Sequence, residues 1–141
     1  MNNHSVAYRI YSWLPVFVVC TLIFYISSYK TATVSGVAQD EFVIKKIAHL
    51  LWSSSLAILV FRALLREGMP KRSASMYAIL FVFLFGSSDE IHQRFVFGRE
   101  SRFRDVLIDT AGGSVAILAL WKLLPKMPKK LKMLASKWDL V

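Results

Sequence analysis

The chain has 141 residues, of which 55% are hydrophobic, and its mean hydropathy is +0.47. A chain this short and this apolar does not suit a soluble multidomain protein, so the composition indicates one compact domain in a lipid bilayer. The formal net charge of +9 would also suit a nucleic-acid-binding protein. However, the apolar segments leave no soluble surface of a single sign, so nucleic acid is not expected as a partner.

Four apolar segments predict four transmembrane helices. The first lies between Arg9 and Lys30 and is free of charged residues, and it meets the length of about 20 residues that a spanning helix needs. It is too long for the apolar core of a secretory signal, so we expect it to be retained. The other three reach this length only when polar residues at one end are included. We therefore predict an all-α four-helix transmembrane bundle, with helices at about residues 8–29, 44–66, 73–97 and 103–124.

Residues 10–124 are predicted to form the transmembrane domain, and residues 125–141 a basic tail. The tail mixes lysines with Leu, Met and Trp, which is typical of a segment that lies on an anionic inner leaflet. The alternative is that its lysines serve only to fix the topology. Cys20 is the single cysteine, so the chain has no internal disulfide and no Cys-based metal site.

Basic residues predict the orientation of the bundle. Four spans place both termini and the loop between the second and third helices on one side. That side carries eleven of the eighteen Lys and Arg residues: Arg9, those between 62 and 72, and those between 122 and 137. The opposite side carries seven basic residues and seven of the nine acids. By the positive-inside rule, both termini are predicted to be cytoplasmic.

Polar residues of three predicted helices should meet at the outer end of the bundle. On the third helix Asp89, His92 and Gln93 share one face at about 100° per residue, and Glu90 lies a quarter turn away. The second helix adds a polar stripe at the same end, formed by Lys46, His49 and Ser53. The fourth helix adds another, formed by Asp105 and Asp109. Small residues continue the second of these stripes, which would let a neighbouring backbone approach closely: Gly112, Gly113 and Ala116.

Ionised side chains in hydrocarbon cost at least about 2.5–3.5 kcal/mol each, so such a cluster needs internal partners or a water-filled cavity. It could be an ion-pair network that joins the helices, but two histidines and four carboxylates exceed what packing requires and favour a functional site. The spacing of Asp89 and His92 also suits two ligands of one metal ion, so a bound divalent cation is kept as an alternative. The sequence contains no strong zinc motif. A serine-hydrolase elbow and a P-loop are absent from the sequence.

Three segments resemble the VanZ-like family. Residues 89–113 read DEIHQRFVFGRESRFRDVLIDTAGG, which is similar to the family block D-E-x-H-Q-x-F-x-P-G-R followed by D-V-x-x-[DN]-x-x-G, with Phe97 where proline is usual. Residues 45–49 resemble its K-x-x-H element and residues 25–28 its F-S-S-x element. The resemblance covers about residues 10–120. It implies a small multipass protein of the bacterial cytoplasmic membrane, and the name-giving member of the family is linked to teicoplanin resistance.

We predict a membrane-embedded site for a phosphate-bearing lipid or lipid-linked wall precursor, with hydrolase or transferase chemistry as one option. The candidate catalytic residues are His49, Asp89, Glu90, His92, Asp105 and Asp109. The candidate substrate-binding residues are Lys46, Gln93, Arg99 and Arg102. Here His49 or His92 would act as general base, and the two arginines would bind an anionic head group in bidentate fashion.

The sequence is also compatible with two other functions. One is a non-catalytic envelope factor that binds lipid or a partner protein. The other is a small proton-coupled transporter, because intramembrane acids and histidines also relay protons, and this would favour a homo-oligomer. A polar pocket at one end of the bundle would favour lipid chemistry, whereas a polar path through the bilayer would favour transport.

Overall fold

The computed structural model describes residues 6–29, 38–97, 99 and 101–138, and side chains within these except at 38–42. This part of the chain is helical and contains no strand. Its helices are α1 (Val6–Ser27), α2 (Ala38–Arg66), α3 (Lys71–Gln93), α4 (Phe103–Leu123) and α5 (Lys129–Lys137), with a 3₁₀ turn at Leu124–Lys126. The first four are long and apolar enough to cross a membrane. The predicted all-α four-helix transmembrane bundle is therefore confirmed.

Two helix ends differ from their predicted positions by more than two residues. α2 begins at Ala38 rather than near 44, because the helix continues outward beyond the apolar span that starts at Val43. α3 ends at Gln93 rather than near 97. The amides after Gln93 bond to carbonyls three residues back, which tightens the chain out of the α-helix. Phe97 is 95% exposed, so no buried contact there supports a longer helix.

A short turn makes α2 and α3 antiparallel neighbours. Gly68 adopts a φ of 85°, a left-handed conformation that glycine accepts without strain. The amides of Gly68 and Met69 donate to carbonyls in the last turn of α2, at 2.9 and 3.1 Å, and so satisfy groups that a helix end leaves unpaired. This turn places the N-terminal half of α2 beside the C-terminal half of α3.

α2 is the central helix and packs against α1, α3 and α4. The apolar core lies in the half of the bundle nearest the α2–α3 turn and is built from ten buried residues: Val16, Leu56, Ala57, Val60, Phe61, Ala63, Ala74, Ala78, Val82 and Ile117. Four of these are alanines, which lets the helix backbones approach closely. The core therefore fills one half of the bundle and leaves the polar residues to the other half.

Two glycines bring α4 against α2. A Cβ added at Gly112 would lie 2.8 Å from Ser53 Oγ and 3.3 Å from the backbone oxygen of Leu50. A Cβ at Gly113 would lie 3.2 Å from the Cβ of Ala57. The expected close approach of a neighbouring backbone along this small-residue stripe is confirmed, and it positions the acidic N-terminal half of α4 beside α2.

Candidate functional site

The polar ends of four helices meet at one end of the bundle. Hydrogen bonds and ion pairs join α1 to α3 and α2 to α4 there. Three acids of α3 and α4 at this end are buried residues, with whole-residue exposures of 6% for Asp89, 5% for Glu90 and 8% for Asp105. Such burial of acids requires partners. The structure thus brings together the residues of α2, α3 and α4 that the sequence placed at this end, and it adds α1.

Asp89 connects α1 with α3 and has both carboxylate oxygens occupied. Ser27 Oγ donates to Oδ1 at 2.5 Å, and Gln93 Nε2 donates to Oδ2 at 2.7 Å. Each partner is itself buried, so the group is satisfied within the protein. Neither of these two hydrogen bonds involves a histidine, so Asp89 does not orient His49 or His92 through them.

Glu90 points to the start of α4, a quarter turn from the face of Asp89. Its Oε2 accepts a 2.8 Å hydrogen bond from the backbone N–H of Arg102, the residue that precedes α4. A carboxylate at a helix N-terminus also interacts favourably with the helix dipole. Glu90 therefore holds the turn between α3 and α4 in place.

Lys46 of α2 forms an ion pair with Asp105 in the first turn of α4. The side chains are 20% and 12% exposed, so the pair is largely shielded from water. A pair in this position aligns two helices, although its net effect on stability is small compared with the cost of removing one partner. It contributes to the frame around the site.

His49 and Asp109 form the second contact between α2 and α4. Nδ1 of His49 lies 3.4 Å from Oδ2 of Asp109, and the side chains are 25% and 14% exposed. This distance is at the long end for a hydrogen bond. The other oxygen of Asp109, Oδ1, is buried and has no hydrogen-bond partner in the described part of the chain. The pair is therefore incompletely satisfied, unlike Asp89.

His92 occupies a different environment from His49. Its ring stacks on Phe24 of α1, with centroids 4.1 Å apart, and its Nε2 lies 3.0 Å from Ser28 Oγ. It faces α1 and does not line the cavity described next. The two candidate bases of the sequence analysis are thus separated by the fold.

A cavity of about 150 Å³ lies beside the His49 and Asp109 pair, between α1, α2 and α3. Half of the lining residues are polar: Ser27, Lys45, His49, Ser53, Asp89, Gln93, Arg99 and Asp109. The other half are apolar or small: Ile23, Ile26, Ala48, Trp52, Leu56, Val82, Phe85 and Gly86. Ile26 is 49% exposed and Trp52 is 37% exposed, so part of the apolar lining reaches the outer surface of the bundle.

Arg99 reaches this cavity from the turn between α3 and α4. Its Nε donates to the carbonyl of Tyr29 at 3.0 Å and its Nη2 to the carbonyl of Ile26 at 2.9 Å. These carbonyls belong to the C-terminal end of α1, where a helix leaves acceptors unpaired. Nε and Nη2 of Arg99 therefore bind the end of α1. Because a guanidinium has five N–H groups, further donors remain for a ligand.

The predicted site residues therefore fall into two groups. Five of them line the cavity: His49, Asp89, Gln93, Arg99 and Asp109. The other five surround it as partners of neighbouring elements: Lys46, Glu90, His92, Arg102 and Asp105. Among the described residues, no group of three or more His, Cys, Asp and Glu side chains is placed to hold a metal ion, so the geometry offers a divalent cation no such ligand set.

Sequence reasoning assigned no role to several residues that shape the site. Ser27 and Ser28 bond to Asp89 and His92, and Lys45 and Trp52 line the cavity. The pointer to the serines was the segment at 25–28 that resembles the F-S-S-x element. Hydroxyls in an apolar helix usually bond to their own backbone, so without the fold they indicate no distant partner.

Comparison with known proteins agrees with the fold. The family model for VanZ/LLP1 matches residues 2–124. No curated protein and no solved structure gives a significant match. The matched range includes all four long helices and every residue of the polar cluster. This multipass membrane protein therefore belongs to the VanZ-like family.

Proposed function

We propose that this protein binds the phosphate-bearing head group of a membrane amphiphile, a lipid or a lipid-linked wall precursor. Binding would take place in the polar cavity, at the outer leaflet of the bacterial cytoplasmic membrane. One observation carries the proposal. The incompletely satisfied pair of His49 and Asp109 lines a cavity that also has apolar lining residues, and two of these, Ile26 and Trp52, reach the surface of the bundle. An amphiphile needs both polar and apolar contacts.

The size of the cavity supports a head group rather than a complete lipid. A cavity of about 150 Å³ has room for a ligand the size of a benzene ring. A phosphate group is within this size, whereas an acyl or polyprenyl chain is not. The chain would therefore leave the cavity past Ile26 and Trp52 and lie in the surrounding bilayer.

The N–H donors at the cavity support an anionic ligand. Asp89 has both oxygens occupied by Ser27 and Gln93, so it presents no unpaired acceptor toward the ligand. Arg99 retains N–H donors beyond the two that fasten α1, and donors of this kind suit the oxygens of a phosphate. Lys45 adds a second cationic side chain to the lining.

The same arrangement supports hydrolysis or group transfer at the phosphate. His49 is the base: its imidazole accepts the proton of a water or hydroxyl as that oxygen attacks phosphorus, and the proton then passes to the leaving oxygen as its bond to phosphorus breaks. Asp109 orients the ring through Nδ1. Its second oxygen is a buried acceptor without a donor among the described residues, which costs about 1–3 kcal/mol.

Transport is less well supported than binding. On α2 no Asp, Glu, His, Lys or Arg occurs between His49 and Arg62, and on α4 none occurs between Asp109 and Lys122. The corresponding half of the bundle is filled by the apolar core. A proton relay needs polar groups at successive depths, and these helices provide them at one end only.

The test compares two histidine variants that differ in position and share the same chemistry. In lipid nanodiscs, binding of an undecaprenyl-phosphate lipid is measured for the wild type, His49→Gln and His92→Gln. We expect His49→Gln to weaken binding about tenfold, since it removes a hydrogen bond between the imidazole and the charged phosphate. We expect His92→Gln to bind within twofold of the wild type. Equal losses in both variants, or a loss in His92→Gln alone, would overturn the proposal.

A cellular assay extends this test to the phenotype that the family name suggests. Teicoplanin susceptibility is measured in cells that express each variant at matched membrane levels. We expect the His49→Gln cells to respond like cells without the protein and the His92→Gln cells to respond like the wild type. Identical susceptibility of all strains would separate head-group binding from any role in glycopeptide resistance.

A further inference from the structure

A second cavity, of about 420 Å³, lies at the opposite end of the bundle. Its lining comes from α2, α3, α4, the 3₁₀ turn and α5, and consists of Phe61, Lys71, Leu120, Trp121, Leu124, Pro125 and Lys132. Pockets that bind small molecules commonly measure about 300–1,000 Å³. This cavity is therefore large enough for a ligand, and it shares no residue with the polar cavity.

The lining combines an apolar surface with two lysines. Phe61 and Leu124 are buried and Trp121 is half-exposed, and together they form a wall suited to hydrocarbon. Lys71 and Lys132 are exposed, and in the described part of the chain their ammonium groups have no ion-pair or hydrogen-bond partner. Apolar contact area next to unpaired cations is the combination that an anionic lipid requires.

The surrounding charge is mostly positive. Of the charged residues described at this end, eleven are Lys or Arg and one, Glu67, is acidic. Glu67 lies 3.3 Å from Arg9 in an ion pair, so it does not compensate the lysines at the cavity. The positive potential here therefore favours an anionic ligand over a neutral one.

α5 is held against the bundle in a way that completes this cavity. Arg62 of α2 donates from Nε to the carbonyl of Trp138 at 2.8 Å, and its guanidinium lies 5.4 Å from the centre of the Trp138 ring. Ala135 of α5 is buried. These contacts hold α5 against α2. Lys132 of α5 and Lys71 of α3 line the same cavity, so the two cations belong to one site.

We propose that this second cavity binds one anionic glycerophospholipid, independently of the ligand at the polar cavity. Lys71 and Lys132 bind the phosphate, and the acyl chain lies against Leu120, Trp121 and Leu124. A free phosphate ion would leave this apolar wall without a partner, which is why we assign the site to a lipid. The predicted topology puts this lipid in the inner leaflet.

The experiment uses the full chain in zwitterionic nanodiscs into which phosphatidylglycerol is titrated. Native mass spectrometry counts retained lipids, and the melting temperature reports saturation. We expect one phosphatidylglycerol to be retained per chain. Lys71→Gln combined with Lys132→Gln should raise the half-saturating lipid fraction about tenfold. Glycerol phosphate and inorganic phosphate, added in separate arms, should neither bind nor raise the melting temperature.

The matched control is Arg72→Gln combined with Lys130→Gln. These residues are exposed neighbours on the same two helices, and neither lines the cavity. We expect this control to change the half-saturating fraction less than twofold. An equal change in both double variants would show a diffuse charge effect and overturn the site. Binding of glycerol phosphate or phosphate as tight as that of the lipid would overturn the assignment to a lipid. Retention of no lipid by the wild type would overturn both.

Discussion

Ser27, in the last turn of α1, donates a 2.5 Å hydrogen bond to Asp89 in the last turns of α3. The two residues are 62 positions apart in the sequence, and both are more than nine-tenths buried. His92 of α3 also contacts the end of α1, where it stacks on Phe24 and lies 3.0 Å from Ser28 Oγ. Together with the hydrogen bonds from Arg99, these contacts hold the helix that closes one side of the polar cavity.

The first prediction concerns Ser27. Replacing Ser27 with Ala removes a donor from a buried carboxylate, so we expect the free energy of unfolding to fall by about 1–3 kcal/mol. Thermal melting of the purified protein in detergent measures this. Thr21→Ala is the control, because the hydroxyl of Thr21 is exposed and bonds only to a carbonyl of its own helix. A melting temperature of Ser27→Ala equal to that of the control would contradict a structural role for the hydrogen bond.

The second prediction concerns the Lys46 and Asp105 pair. Lys46→Met leaves a shielded carboxylate without its partner, and we expect a loss of about 3–5 kcal/mol in stability and a lower membrane level. Adding Asp105→Leu removes that carboxylate, so the double variant should recover most of the loss. Neither residue lines the polar cavity, and the double variant should therefore still bind head group. If the losses of the two single variants simply add in the double variant, the pair is not coupled.

The third prediction concerns Arg99, which was expected only to bind the head group and which in the structure also holds the end of α1. A lysine keeps the charge but cannot hold the carbonyls of Ile26 and Tyr29 with one planar group. Arg99→Lys should therefore lower both the melting temperature and head-group binding, whereas His49→Gln should lower binding alone. The comparison is made in the same nanodisc preparation. Unchanged melting of Arg99→Lys would show that its hold on α1 contributes little.

The fourth prediction concerns orientation. The excess of basic residues at the end that holds the α2–α3 turn predicts that this end is cytoplasmic. A reporter fused after Val141 should then be active in the cytoplasm, and one inserted near Gly36 should be active outside. The reverse pattern would place the polar cavity at the inner leaflet and remove an extracellular wall precursor from the candidate ligands.

Sequence was sufficient to predict that these polar residues lie together, but not which of them contact each other. Asp89, Asp105 and Asp109 are acids at the ends of apolar segments, and the cost of burying charge alone indicates that they must meet partners. Which partners they meet depends on helix rotation. His49 faces the cavity and His92 faces Phe24, and no pattern within either helix distinguishes the two.

The same limit explains the residues that sequence did not assign. Ser12 and Ser114 bond to the carbonyls of their own helices, as hydroxyls in apolar helices commonly do. Ser27 does this as well and in addition reaches Asp89. The additional contact exists only because α1 lies against α3 in the fold, so a pattern of residues along α1 does not contain it.

The fifth prediction uses a glycine to separate stability from binding. Gly86 of α3 lines the polar cavity, and a Cβ there would lie 3.7 Å from Oδ2 of Asp109, an ordinary contact distance. Gly86→Ala should therefore fit without strain, and alanine in a helix interior is about 0.5–1 kcal/mol more stable than glycine. At the same time the added methyl group occupies space beside the His49 and Asp109 pair. We expect the melting temperature to be unchanged or higher and head-group binding to be about tenfold weaker, since a misplacement of about 1 Å at a site is costly.

Gly112→Ala is the contrasting variant, because its Cβ would lie 3.3 Å from a backbone oxygen of α2, and overpacking of this kind commonly costs about 1–3 kcal/mol. If Gly86→Ala binds head group as well as the wild type does, the ligand does not occupy the part of the cavity beside Asp109.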